Sequence, residues 1–409
     1  MENLSITSVP HLGQLEVEVV ERKGIGHPDT MADALAENLS VAYACYTLDH
    51  FGVILHHNFD KLLVLGGATE VDFGEGKLTS PIRVILNGRA SIRFGDKNIP
   101  VREILEVEIL RFFSDFFGGS LDIKHDIEIH WFVSSTSSPG KTKRTTGTRA
   151  NIFAPRSISE VKGYDQLLNN DTSMGCSYAP LSALEMAILT IEEKLNSPAM
   201  KQLYPWLGTD IKVMAVKIHD QCGFTICLPQ IARYVPSLDA YYRNLIAMRS
   251  IIETTLNELL PEMNTTLSLN MRDNLTHRDL YLTAIGSSIE SGDEGVVGRG
   301  NRINGLITPL RPINLEGVCG KNPKYWTGKL YNVAARKIAE RLYSETQCAC
   351  EVLLVGQTGQ PIVDPWYTLI RTSEMFLLTK KRIVQIVEEE VMQIPEITGL
   401  LLERKIRLY

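Results

Sequence analysis

Apolar and polar residues alternate in short runs at 15–21 (LEVEVVE), 61–67 (KLLVLGG), 82–88 (IRVILNG), 126–133 (DIEIHWFV), 211–218 (IKVMAVKI) and 350–356 (CEVLLVG). A period of two in stretches rich in Val and Ile predicts half-buried strands. The segments 28–47, 100–117, 180–196, 236–260, 328–346 and 373–392 carry helical spacing instead. In 180–196 the residues Leu184, Ile188 and Ile191 share one stripe, and Pro180 suits a first helical position. The mixture predicts an α/β or α+β protein whose sheets are covered by helices on one face.

A chain of 409 residues has room for two or three domains. The best linker candidates are the Ser/Thr/Gly-rich stretch 135–157, with four basic residues between Lys141 and Arg149, and the polar turn 168–175. Composition is that of an ordinary globular protein, with 44% hydrophobic and 22% charged residues. A net charge of -6 argues against nucleic acid as a partner, because phosphate-backbone binders present a basic face. No leader-like N-terminal pattern and no apolar run of membrane-spanning length stand out, so no membrane partner is expected. Seven scattered cysteines without a paired CxxC point to neither a disulfide framework nor a zinc site. The expectation is a cytoplasmic, reduced protein.

Four segments hold candidate chemistry. In ERKGIGHPDTMAD (21–33), Pro28 suits a helix start, and Asp29 and Asp33 follow on one face of its first turns. A helix N-terminus favours anions, so this is either a plain helix start or a site at which His27 donates to a phosphate and Asp29 holds a metal. In ILHHNFDKLLVLGG (54–67), an extended strand would put His56, Asn58 and Asp60 on one face and His57, Phe59 and Lys61 on the other. So many polar residues lead into an apolar strand only at a site or at a wet edge. In NNDTSMGCSYAP (169–180), Asp171 is either an Asx-turn former or a carboxylate for a substrate amino group.

The densest signal is 286–332, with nine glycines, three acidic residues ahead of Arg299, and then Arg302, Arg311, Lys321 and Lys329. Glycines admit a close ligand, and carboxylates interleaved with cations suit a Mg-polyphosphate. The segment is neither a P-loop nor a GxGxxG fingerprint.

In this order, ERKGIGHPDT, ILHHNFDKLLVLGG, SPIRVILNGRA, NNDTSMGCSYAPLS, DIKVMAV, GDEGVVGRGNRINGLITPLRP, LEGVCGKNP and GKLYN resemble the S-adenosylmethionine synthetases of archaeal type, from about residue 15 to at least 335. The resemblance implies an α+β fold of three similar sub-domains, placed approximately at 1–150, 151–275 and 276–409. The chain has room to interleave between these intervals. The resemblance also implies the substrates ATP and L-methionine, Mg2+, commonly a monovalent cation such as K+, and a homodimer or tetramer with active sites at the subunit interface. By the same resemblance His27, Lys61, Arg299 and Lys321 meet the polyphosphate. Asp171 and Asp293 lie on the substrate side, with Asp60, Arg302, Ser138 and Gly140 as further substrate contacts. Asp29 and Asp33 are the expected metal ligands. Two departures stand out: the loop SSTSSPGKTKRTTGTRANIFA (134–154) and Trp326, where the family usually has histidine. They leave room for a catalytically weakened regulatory subunit. An enzyme acting on another polyphosphate is the third alternative.

Overall fold

The structure is a computed structural model that describes residues 3–136, 152–161, 163, 166–274, 276–373 and 377–409. It holds three sheets of four or five strands, each with a pair of long helices. The first sheet orders strands Ile127–Ser134, Ile82–Ala90, Leu63–Leu65 and Glu294–Val296, and His57–Asn58 adds to Ile82–Ala90. Helices α1 (Pro28–Phe51) and α2 (Val101–Phe117) pair over it. The second sheet orders Asn264–Leu269, Gln221–Cys227, Lys212–Ile218 and Val17–Lys23, under α3 (Ala183–Leu195) and α4 (Leu238–Leu259). The third orders Leu4–Ser8, Tyr367–Thr372, Cys350–Val355 and Met174–Ala179, with α5 (Thr327–Thr346) packed on it and α6 (Leu377–Met392) against α5.

Every sheet draws a strand from a distant part of the chain. Val17–Lys23 pairs antiparallel with Lys212–Ile218, and Glu294–Val296 with Leu63–Leu65. The three sequence intervals are therefore interleaved in space, and each sheet crosses at least one of their boundaries. One core runs through the first and third units, from Leu35, Phe59 and Phe113 to Leu330, Val352 and Ile386, and a second fills the middle unit around Ile188, Phe224 and Tyr241.

The alternation reads directly into burial: Val213 and Ala215 are buried while Val216 and Ile218 on the same strand are exposed. α3 begins at Ala183 rather than at Pro180. Ser182 accepts from the Glu185 N–H (3.1 Å) and its own N–H reaches Glu185 Oε2 (2.7 Å), a reciprocal cap that sets the first turn. The HHN segment forms only a two-residue strand, so its face arithmetic stops at Asn58. His57 and Phe59 enter the core, whereas Lys61, beyond the strand, is exposed.

Candidate active site

The turn before α1 is built on two glycines. A Cβ on Gly24 would lie 2.3 Å from the Ile211 carbonyl oxygen, and one on Gly26 would lie 2.2 Å from Thr209 Oγ1. Only glycine lets this turn pass so close to segment 209–211, to which the Gly24 N–H (2.9 Å) and Gly26 N–H (3.1 Å) also donate. His27 then caps α1. Its backbone is extended (φ −70°, ψ 136°), Pro28 opens the helix, and its Nδ1 accepts from the Asp29 N–H at 3.1 Å. An Nδ1 that accepts leaves the neutral ring's proton on Nε2, so the free edge of the imidazole is a donor.

Burial lowers the His27 pKa, opposed by the charges of Asp210 and Asp29 and assisted by Lys23 and Lys212. Asp210 is itself buried and its pKa is raised by burial. Its Oδ2 accepts from the Ser288 hydroxyl (2.5 Å), the Ser288 N–H (3.0 Å) and the Tyr281 hydroxyl (3.0 Å). The Ser288 hydroxyl is 3.2 Å from Asp293 Oδ2, which ties Asp293 to the same corner.

Along α1 the residues Asp29, Asp33 and Glu37 recur every fourth position and form one buried acidic stripe. The glycine-rich segment is strapped to that stripe. Asp29 accepts from the Val296 N–H (2.9 Å) and from Lys23 Nζ (2.8 Å), and Lys23 also donates to the Arg299 carbonyl (2.9 Å). Asp33 accepts from the Gly298 N–H (2.8 Å), and Glu37 from the Gly320 N–H (3.0 Å). A Cβ on Gly295 would stand 2.0 Å from the Pro28 carbonyl oxygen, and one on Gly300 would stand 2.4 Å from Asp33 Oδ2. Several of the glycines read as ligand clearance from sequence thus serve the approach of this segment to α1. Arg302 is committed in the same way, donating to the carbonyls of Gly298 (2.6 Å), Gly300 (2.8 Å) and Asn314 (3.3 Å). Arg299 is exposed and makes no side-chain hydrogen bond or ion pair among the described residues.

A second cluster gathers Asp60, Lys61, Glu316 and Lys321. Lys61 Nζ lies 2.5 Å from Asp60 Oδ2, and Lys321 Nζ bonds Glu316, lies 3.8 Å from Asp60 Oδ2 and sits 4.9 Å from the centre of the Trp326 ring. Asp60 Oδ1 is buried without a hydrogen-bond partner among the described residues. Asp171 is exposed and accepts from the N–H of its neighbour Thr172 (2.8 Å), one residue on rather than the two of an Asx turn, while Ser173 beside it donates to Glu316 (2.9 Å). Ser138 and Gly140 lie outside the described residues. His57 belongs to the core, hydrogen-bonded to Ser40 (2.9 Å), with its pKa pushed down to about 3 by burial.

The structure thus brings His27, Asp29, Asp33, Arg299, Arg302 and Asp293 to the mouth of α1, and Asp60, Lys61 and Lys321 to a second group; Asp171 stands in the turn beside the latter. The sequence reading missed Lys23, Glu37 and Asp210. Glu37 was within reach, since the spacing of Asp29 and Asp33 extends to it by one more turn. A lone aspartate ahead of a strand gave no signal for Asp210.

The structure is an α+β fold of three helix-backed sheets, with acidic groups and cations arranged about the start of α1. The comparisons name the class. A profile of the family "S-adenosylmethionine synthetase (AdoMet synthetase)" matches residues 2–405. The chain is 37% identical over 402 residues to the probable S-adenosylmethionine synthase of Aquifex aeolicus, covering 97% of each chain. It is 37% identical over 398 residues to the S-adenosylmethionine synthase of Pyrobaculum aerophilum, covering 96% of each. It is 35% identical over 417 residues to that of Sulfurisphaera tokodaii, covering 100% of this chain and 99% of the relative. Among solved structures, an unusual S-adenosylmethionine synthetase from Campylobacter jejuni superposes with a TM-score of 0.55 at 12% identity, over 93% of this chain and 89% of the other, a likeness of fold. The chain belongs to the S-adenosylmethionine synthetase family. No helix among the described residues is long and apolar enough to cross a membrane.

Proposed function

We propose that the chain is a methionine adenosyltransferase: the methionine sulfur attacks C5′ of ATP, the C5′–O bond breaks, and triphosphate leaves and is hydrolysed to diphosphate and phosphate. The observation that carries the reading is the His27 cap, which engages Nδ1 and leaves the ring proton on Nε2 at a helix start where Lys23 joins Asp29 to the Arg299 carbonyl. Thioether sulfur is already a nucleophile, so the protein must align the reactants and stabilise the leaving polyanion. Alignment is worth roughly 7–11 kcal/mol in favourable cases. A donor aimed at the leaving oxygen acts where charge develops.

His27 donates from Nε2 to the bridging oxygen, while Arg299, Lys61 and Lys321 meet the phosphate oxygens and Asp293 and Asp171 face methionine. No group of three or more His, Cys, Asp or Glu side chains that could hold a metal occurs among the described residues. Mg2+ takes few protein ligands when phosphates and water supply the rest. The Asp29 carboxylate fits Mg2+ because its Oδ2 is already paired with a cation, Lys23, whose place the metal would take while Oδ1 keeps the Val296 N–H, and a bound Mg2+ would neutralise charge on the departing triphosphate. K+ is a further cofactor of this reading. Asp33 is better assigned to the strap than to the metal. Burial raises its pKa to about 7, and its oxygen is spent on Gly298.

Asp33→Asn should therefore keep turnover within about threefold, as expected for a position outside the reacting groups. Its folded pKa lies above the ordinary 3.8, so the buried charge penalises the parent increasingly as pH rises from 3.8 to about 7. The melting temperature of the variant relative to the parent should rise over that window. A loss of turnover of about a hundredfold would return Asp33 to the metal site.

The outward sheet faces carry exposed apolar residues: Phe132 on the first, Val17, Val216 and Ile218 on the second, and Met174, Tyr367 and Leu369 on the third. They support a homodimer closed face to face. The direct test is to incubate the protein with ATP, methionine and Mg2+ and follow S-adenosylmethionine and phosphate. No S-adenosylmethionine above a methionine-free control overturns the reading, and phosphate alone would favour a polyphosphatase.

A further inference from the structure

The contact between α1 and α5 includes a charged pair whose form packing does not require. Lys329, in the first turn of α5, has no exposed surface, and its ammonium donates to both oxygens of Glu37 (2.6 and 2.7 Å) and to the Lys321 carbonyl (2.8 Å). All three of its donors are thereby used. Glu37 accepts in addition from the Gly320 N–H (3.0 Å). The Ser40 hydroxyl donates to the Lys321 carbonyl (3.0 Å), and the Phe59 N–H donates to the Gly320 carbonyl (2.8 Å). Residues 320 and 321 are thus held by α1, by α5 and by the HHN segment together.

Burying two charges costs desolvation that their attraction often fails to offset. A cation in a first turn also faces the positive end of the helix dipole. A leucine and a methionine could join the same helices without either penalty. What they could not do is donate to the Lys321 carbonyl or accept from the Gly320 N–H. The Lys321 side chain, with many rotamers of its own, must reach a narrow place between Glu316, Asp60 and the Trp326 ring.

We propose that Glu37 and Lys329 are a positioning pair that sets the backbone from which Lys321 reaches the polyphosphate of ATP. The inference rests on the phosphate role given to Lys321 above. Neither residue of the pair touches substrate; both act through residues 320 and 321.

The test is the double variant Glu37→Leu/Lys329→Met, made with and without Lys321→Met. Apolar replacement of a whole buried pair is often neutral in itself, and the Gly320 N–H left without its acceptor costs about 1–3 kcal/mol, so the double variant should stay folded and melt somewhat below the parent. Its kcat/KM for ATP should nevertheless fall about tenfold, the worth of a hydrogen bond to a charged group, with the KM for methionine unchanged. Lys321→Met should cost less in the double variant than in the parent, because the pair and Lys321 act as one unit. Additive losses, or unchanged ATP kinetics in a folded double variant, would overturn the positioning role. Unchanged ATP kinetics for Lys321→Met in the parent would remove the phosphate role of Lys321 first, and the inference with it. Should the double variant not fold, Ser40→Ala reads the same carbonyl. It should weaken kcat/KM for ATP about threefold, again non-additively with Lys321→Met, and an additive loss overturns the proposal.

Discussion

His27→Ala is expected to lower kcat by about two to three orders of magnitude, the usual cost of removing a donor aimed at developing negative charge. The fold should persist, because the side chain's structural duty is one cap hydrogen bond, worth about 1 kcal/mol. His27→Asn separates the two duties. Asparagine caps helices well, so stability should return, whereas its shorter amide reaches a different place and should recover only part of the rate. Steady-state kinetics and thermal unfolding of both variants make the comparison, and unchanged turnover in His27→Ala would take the residue out of the reaction. The pH response follows from the same geometry. Burial holds the His27 pKa below its ordinary 6.5, so its capping contribution is present above 6.5 and is lost as pH falls through the lowered value. Turnover should fall on that same acidic side, since protonation removes the Nδ1 lone pair that fixes the ring.

Gly295→Ala is expected to abolish most activity while leaving His27, Asp29 and Lys321 chemically intact. The added methyl would stand 2.0 Å from the Pro28 carbonyl oxygen and 3.1 Å from the Asp29 nitrogen, and these backbone atoms have no rotamer to turn away. Relief requires strand Glu294–Val296 to move off the start of α1. That movement breaks the Val296 N–H bond to Asp29 and shifts Arg299, three residues on, from the Lys23 ammonium that holds its carbonyl. Overpacking of this kind costs about 1–3 kcal/mol, and displacement of reacting groups by an ångström can cost about a hundredfold in rate. Gly399→Ala is the control: it lies in a helical turn with nothing within 4 Å of the added Cβ, and it should be neutral or slightly stabilising. A Gly295→Ala protein with parental turnover and melting temperature would show that the strap does not need this close approach.

Much of the local structure was legible because it is written at short range. Alternation marked the strand Lys212–Ile218, and helical spacing marked α5 to within a residue of its start. His-Pro-Asp announced a helix start, and the start is there, with His27 itself as the cap. The strands Met174–Ala179 and Gln221–Cys227 escaped notice because their polar and small residues dilute the alternation, and they are strands through pairing with Cys350–Val355 and Lys212–Ile218. The start of α3 was misplaced because Pro180 is the louder signal, while the reciprocal cap of Ser182 and Glu185 sets the turn.

The residue types of the site were visible along the chain, and a spacing of four is enough by itself to put the Asp29 and Asp33 carboxylates on one helix face. Their duties were not visible. Asp33 and Arg302 look like site residues in sequence, yet each is occupied with backbone groups of the glycine-rich segment. For Asp33 that role depends on residues 265 positions apart meeting at 2.8 Å. Asp210 next to His27, Glu37 under Lys329 and the particular strands that join across the sheets have the same origin. Hydrophobic periodicity and capping act over a few residues and are carried by the chain alone. Which buried charge meets which partner is settled only when desolvation forces each polar group to find one in the packed molecule.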